Sequence, residues 1–233
     1  MGSTRTIPTL AEGVSSQEIL RTGLTMANGP VKLACSFSVE DVVIIDLIHS
    51  LDLPIGVFAI DTGRLNEETY EVADALTDRY RISIDWYFPK NDAVECLLQA
   101  KGPFSFRESL ANRQECCRVR KVEPLGRALQ GLAGWVTGLR REQSVTRTEL
   151  APIEVDATNG AILKINPLLN WSSEQVWDYA KEHGVPVNRL HRQGYPSIGC
   201  APCTRAVQPG EDERAGRWWW ENPENKECGL HKR

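Results

Sequence analysis

Cysteine is the residue type with the most chemistry in this chain of 233 residues, and seven cysteines stand at positions 35, 96, 116, 117, 200, 203 and 228. An odd number, unevenly scattered, is not a disulfide framework. Cys35 lies in an apolar run and Cys96 on a helical pattern, and both read as small buried hydrophobes. Cys200-Ala201-Pro202-Cys203 is a CxxC in a Gly/Pro-rich loop, a spacing shared by zinc sites, dithiol redox pairs and iron–sulfur clusters. Its place late in the chain argues against the redox pair. Cys116-Cys117 brings the count to four thiolates, the complement for Zn²⁺ or for a [4Fe–4S] cube. Adjacent cysteines reach two irons of a cube more easily than two corners of one zinc tetrahedron, so a cluster is preferred over zinc, with unliganded core cysteines as the third reading.

Cys228 stands near the C-terminus among polar residues and has two readings. It is an incidental cysteine on a frayed tail, or a nucleophile on a mobile arm, its thiolate favoured by Lys226, His231 and Lys232. His231 reads as a helper of that thiolate rather than a metal ligand, since no second histidine is near it. Anion-binding features are spread more widely. Ser36-Phe37-Ser38 joins a strand to a helix start, where N–H groups and hydroxyls can hold a phosphate, although it lacks the glycines and lysine of a Walker loop. Arg118, Arg120 and Lys121 follow the first cysteine pair. Gly138-Leu139-Arg140-Arg141 follows a predicted strand, Arg147 extends that loop, and Arg205, Arg214 and Arg217 follow the second pair. Lys and Arg total 27 against 31 Asp and Glu. In so acidic a chain these local arginines favour a multiply charged small anion, and the overall balance argues against a nucleic-acid or anionic-membrane coat. No apolar run is long enough to span a bilayer, and the first thirteen residues lack a signal-peptide core, so a cytoplasmic location is expected.

These residues need a scaffold, and the pattern predicts one. Apolar runs at 31–37, 55–60 and 82–87 read as strands, and 134–137 and 162–165 as two more. Between the first two, Glu40 and Asp41 open a helix with Val42, Val43, Ile45, Ile48 and Leu51 at helical spacing; another spans 67–80. Ser172 and Gln175 form a capping box for a third helix that ends at Gly184 and Pro186. Strands alternating with helices imply an α/β fold, a single doubly wound, mainly parallel sheet flanked by helices, with ligands beyond the carboxyl ends of its strands. No repeat or linker divides residues 1–233, which read as one domain whose irregular segment 206–233 ends in the Cys228 tail. Three consecutive tryptophans, 218–220, cannot all enter one core.

Taken together, SFSVED (36–41), IDTGRLNEETY (60–70), ECCRVRKVEPL (115–125), VTGLRREQSVTR (136–147), GCAPCTRAV (199–207) and KECGLH (226–231) resemble the assimilatory adenylyl-sulfate (APS) reductases, the iron–sulfur branch of the APS/PAPS reductase family. The resemblance covers nearly the whole chain and implies an adenine nucleotide alpha-hydrolase-like fold. It implies that Cys116, Cys117, Cys200 and Cys203 hold a [4Fe–4S] cluster and that Cys228 is the nucleophile. Ser36 and Ser38 would belong to a modified phosphate loop with Asp61, Thr62 and Gly63 near the nucleotide. Lys121, Arg147, Arg214 and Arg217 would hold the phosphosulfate, Gly138, Leu139 and Arg140 the nucleotide, with His231 beside the substrate. The implied reaction is reduction of APS to sulfite and AMP through an S-sulfocysteine on Cys228, with thioredoxin or glutaredoxin as the docking reductant, and homo-oligomers occur in the family. The alternatives are PAPS or dual use, and, outside enzymes, an iron–sulfur or zinc sensor.

Overall fold

The structure, a computed structural model, describes residue 11 and residues 13–143 and 150–222. Its strands are β1 (Val31–Cys35), β2 (Gly56–Ile60), β3 (Ile84–Tyr87), β4 (Gly134–Val136), β5 (Ile153–Asp156) and β6 (Ile162–Ile165). They form one six-stranded sheet in the order β3-β2-β1-β4-β6-β5. Every pairing is parallel except that of β5 with β6. The α-helices are α1 (Ser16–Ala27), α2 (Val39–Ser50), α3 (Glu67–Tyr80), α4 (Asn91–Lys101), α5 (Leu110–Cys117), α6 (Glu123–Ala128) and α7 (Ser173–Glu182). The chain winds outward from β1 to β3, then returns to β4 on the other side of β1. That reversal is the switch point at which such sheets leave a crevice for ligands.

Helix α2 explains much of the core. Residues 39–48 are all buried, the acids Glu40, Asp41 and Asp46 among them, and the helix packs against β1, α3 and α7. Helix α7 starts as its sequence dictates. Ser172 Oγ accepts from Gln175 N (3.1 Å) while Gln175 Oε1 accepts from Ser172 N (2.8 Å), so both halves of the capping box are made. Strand β1 stops two residues short of the expected 31–37 run because Phe37 takes φ +63°, which turns the backbone out of the sheet. The third strand begins at Ile84 rather than 82 because Arg81 is left-handed, with φ +54°.

Four elements, α1, α5, α6 and β5, have no counterpart in the sequence expectation. Helix α1 is capped by Ser15 and buries Ile19, Leu20, Gly23 and Ala27, and β5 is only four residues long and interleaves acidic with apolar side chains. Cys35 is buried as expected, but Cys96 is exposed on α4, because α4 buries only Leu97. Among the described residues no helix is long and apolar enough to cross a membrane.

Candidate active site

The crevice at the switch point begins with the Ser36–Ser38 turn. Phe37 supplies the left-handed turn that a glycine would otherwise provide, at a cost of about 1 kcal/mol. Burial of its ring, stacked on Trp86 at 5.5 Å, offsets that cost. Asp41, one turn into α2, then fixes the loop: its Oδ2 accepts from Ser36 N (2.6 Å) and Ser36 Oγ (2.7 Å). Burial raises the Asp41 carboxyl to about 6, against the hydrogen bonds from Ser36, which favour the anion.

Opposite this turn, the loop after β4 comes so close that a Cβ on Gly138 would lie 2.4 Å from Asp41 Oδ1 and 3.0 Å from Glu40 Cβ. Only glycine permits that approach. Buried Glu40 takes Arg140 Nε (2.8 Å) and Gln143 Nε2 (2.9 Å) on the same oxygen. Arg140 also pairs with Glu142 and Glu213, each at 3.7 Å, which ties three segments together at the cavity wall. Glu40 and Asp41, read from sequence as acidic first-turn residues, are thus buried and shape the loops. The available signal was their place directly before the apolar run Val42–Ile45.

The resulting cavity holds about 230 Å³. Ser36, Ser38 and Thr62 line it, as do Gly138, Leu139 and Arg140. Lys121, Arg214 and Arg217 bring positive charge to it, and Phe58, Leu125 and Trp135 give it an apolar floor. Apolar surface with a few convergent polar groups is the usual make-up of a small-molecule site. Asp61 and Gly63 stand behind the wall. Asp61 accepts from Gly63 N (2.7 Å) and from Tyr70 OH (2.8 Å), and so braces the turn after β2. Arg120 Nη1 donates to Thr62 O (2.7 Å) from the other side. Arg147, Cys228 and His231 lie outside the described residues, as does the 223–233 part of the C-terminal segment.

Next to this cavity is a second, smaller one, lined by Cys116, Cys117, Cys200 and Cys203. The first pair ends α5, and the chain continues through a π-helical turn, Arg118–Val122, into α6. Glu123 N reaches back five residues to Arg118 O, and Pro124 follows with no N–H to give. The wider turn sets Arg120 and Lys121 beside the cysteines, the kind of place where π turns tend to occur. The second pair sits on the short helical turn Ala201–Cys203. Trp218, 1 % exposed, closes the cavity together with Phe106, whereas Trp219 is exposed and Trp220 half-buried.

The thiols differ in electrostatics. Burial pushes Cys203 up to about 12 and raises Cys116 as well. Burial opposes ionisation of Cys200 too, but Lys121, the Thr62 hydroxyl (3.2 Å from Sγ) and Arg217 outweigh it, so its pKa is lowered. Trp218 Nε1 and Arg120 Nε, both buried at this cavity, find no acceptor among the described residues. Nor are any three His, Cys, Asp or Glu side chains among them drawn together as a single metal ion would need. Lys121 and Cys200 line both cavities, so the two sites share a wall. Arg64 and Arg113, which also line the cysteine cavity, carry no local sequence signal, whereas Trp218 was marked by the run of three tryptophans.

An α/β nucleotide-type crevice sharing a wall with four cysteines defines a narrow class of protein. The chain matches the phosphoadenosine phosphosulfate reductase domain over residues 30–206, and it belongs to the APS/PAPS reductase family, a family of oxidoreductases. It is 55 % identical over 203 residues to the adenosine 5'-phosphosulfate reductase of Allochromatium vinosum, covering 87 % of this chain and 79 % of that one. It is 48 % identical to the enzyme of the same name from Burkholderia cepacia, covering 98 % and 91 %. Among solved structures, phosphoadenylyl-sulfate (PAPS) reductase from Candida auris, in a phosphate complex, matches with TM-score 0.70 and 31 % identity, over 84 % of this chain and 91 % of the other.

Proposed function

We propose that this chain reduces APS to sulfite and AMP in sulfate assimilation, with Cys228 as nucleophile. The shared wall of Lys121 and Cys200 carries the reading, because it joins a crevice suited to a nucleotide to a cysteine-lined site. The names of its relatives favour APS over PAPS. The Cys228 thiolate attacks the sulfur of the sulfate group. The S–O bond to the phosphate breaks, AMP leaves with the electron pair, and Cys228 carries an S-sulfonate. Lys121, Arg214 and Arg217 face the negative charge that grows on the leaving oxygen. A thiolate of thioredoxin or glutaredoxin then attacks the Cys228 sulfur, sulfite leaves, and a mixed disulfide forms. The partner's second thiol resolves it, so the dithiol loses the two electrons that the sulfate sulfur gains. A cytoplasmic location, where such reductants work, is part of this reading.

Cys116, Cys117, Cys200 and Cys203 would hold the [4Fe–4S] cluster. The residues fit it. Four thiols line one cavity, the complement that a cube takes. The buried N–H groups of Trp218 and Arg120 face a site where sulfur acceptors would satisfy them. When bound, the cluster supplies fixed charge that, with Lys121, organises the cationic end of the crevice.

The test is incubation of the purified, iron-loaded protein with APS and no thiol, followed by intact mass and peptide mapping. One sulfonate on Cys228 with stoichiometric AMP is the expected result, and PAPS in a parallel arm sets the preference. A loaded protein that takes up no sulfonate from either nucleotide would overturn the reading in favour of a metal-bound sensor.

A further inference from the structure

Outside the cysteine cavity the surface is aromatic. Phe104 is 57 % and Trp219 38 % exposed. Phe104 lies 6.1 Å from Phe106, Phe106 lies 5.9 Å from Trp220, and Trp220 meets Trp219 edge-on at 4.7 Å. The exposed Arg107 guanidinium sits 5.2 Å from the Phe104 ring and 5.6 Å from each of the other three. Rigid aromatic rings around an arginine are the composition of an interface anchor.

We infer that this face docks the dithiol protein that regenerates Cys228, an inference that rests on the function proposed above. Position carries the argument. Cys228 stands six positions beyond Asn222, so the sulfur can stray no more than about 20 Å from the end of the described chain. A standard interface covers about 800 Å² on each partner, a patch of comparable breadth. A protein that brings a thiol to Cys228 therefore rests on surface close to residue 222, which follows directly on Trp218–Trp220. The chain's own C-terminal segment suits the face poorly: in PENKECGLHKR the only apolar side chains besides Cys228 are Pro223 and Leu230. The partner that fits has an apolar rim around its dithiol and an acidic group or carbonyl for Arg107.

The experiment compares wild type with Phe104→Glu and Trp219→Glu, made singly so that each checks the other for folding. Three readouts are taken: Cys228 sulfonation by APS without thiol, turnover with dithiothreitol, and turnover against thioredoxin concentration. The first two should stay within about twofold of wild type while the KM for thioredoxin rises about tenfold or more, the loss of one anchor residue. An unchanged thioredoxin KM overturns the inference. So does slower sulfonation at unchanged KM, which would make residues 223–233 the occupant. Loss of self-association in sedimentation at unchanged KM overturns it too, making a second copy the occupant. Calorimetric titration with reduced thioredoxin separates this inference from the function it rests on. If wild type takes up no sulfonate, binding lost in the variants still supports the docking face, and absence of binding to wild type overturns it.

Discussion

Arg113 and Glu221, 108 residues apart, meet in a two-pronged ion pair: Nε to Oε1 and Nη2 to Oε2, both at 2.9 Å. The two side chains are 2 % and 8 % exposed. Arg113 also lies over the Trp218 ring at 4.7 Å. The pair fastens the turn after the tryptophans to α5, the helix that ends in Cys116-Cys117, and so sets the point from which the Cys228 segment departs.

Breaking that pair should be costly. Glu221→Ala leaves a buried guanidinium without its carboxylate, a loss of about 3–5 kcal/mol, read as a lower urea midpoint. Sulfonation of Cys228 by APS should slow while AMP affinity stays near wild type. A variant with unchanged stability would show that the pair is not held in solution.

Gly138→Ala tests the close approach of the two crevice loops. Its Cβ would lie 2.4 Å from Asp41 Oδ1 and 3.0 Å from Glu40 Cβ. Overpacking of this kind costs about 1–3 kcal/mol, and nucleotide affinity should fall with it, since the displaced loop carries Leu139 and Arg140. Calorimetric titration with AMP reads the affinity, and wild-type binding would show that the loops part freely.

The buried Asp41 makes stability depend on pH. Its folded pKa is raised from 3.8 to about 6, so the folded state holds the proton more tightly than the unfolded chain. The stability this contributes is complete below about pH 4 and is lost as pH rises through 6. Asp41→Asn keeps an acceptor for Ser36 and cannot ionise. Relative to wild type it should gain up to about 3 kcal/mol between pH 4 and pH 8, seen as a widening Tm difference. A difference that stays constant with pH would show that Asp41 does not titrate in this range.

Trp218→Phe keeps a ring over the cysteine cavity and deletes the buried N–H. Folding should change little, whereas Trp218→Ala should cost about 3–5 kcal/mol through the cavity it leaves. If the N–H serves a bound cluster, the Phe variant should lose its iron to a chelator faster than wild type. Equal release rates would show that the donor serves some other acceptor.

Much of this molecule is local and could be read along the chain. The Ser172–Gln175 box, the strand at 162–165 and the helix at 67–80 depend on residues a few places apart, and all three stand where the pattern puts them. The alternation of strands and helices was enough to expect ligands beyond the carboxyl ends of the strands, whereas the place between β1 and β4 came from the order of the sheet. The four cysteines could be grouped by type and spacing, because thiolates at such intervals have few other uses.

What escaped that reading depends on segments far apart in sequence. Asp61 and Gly63 share a motif with Thr62, yet only the packing of Tyr70 against Asp61 turns two of the three into a brace behind the cavity wall. The exposure of Cys96 follows from which face α4 turns to the protein, and β5 is a strand because β6 offers it an edge. The sequence by itself determined the chemistry available and most of the strands and helices of the sheet, since propensity, capping and periodicity act within one or two turns of chain. The tertiary structure alone decided that Lys121 and Cys200 share a wall and that Arg113 finds Glu221. Contacts across such distances follow from the summed packing of the whole core, which no short window of sequence contains.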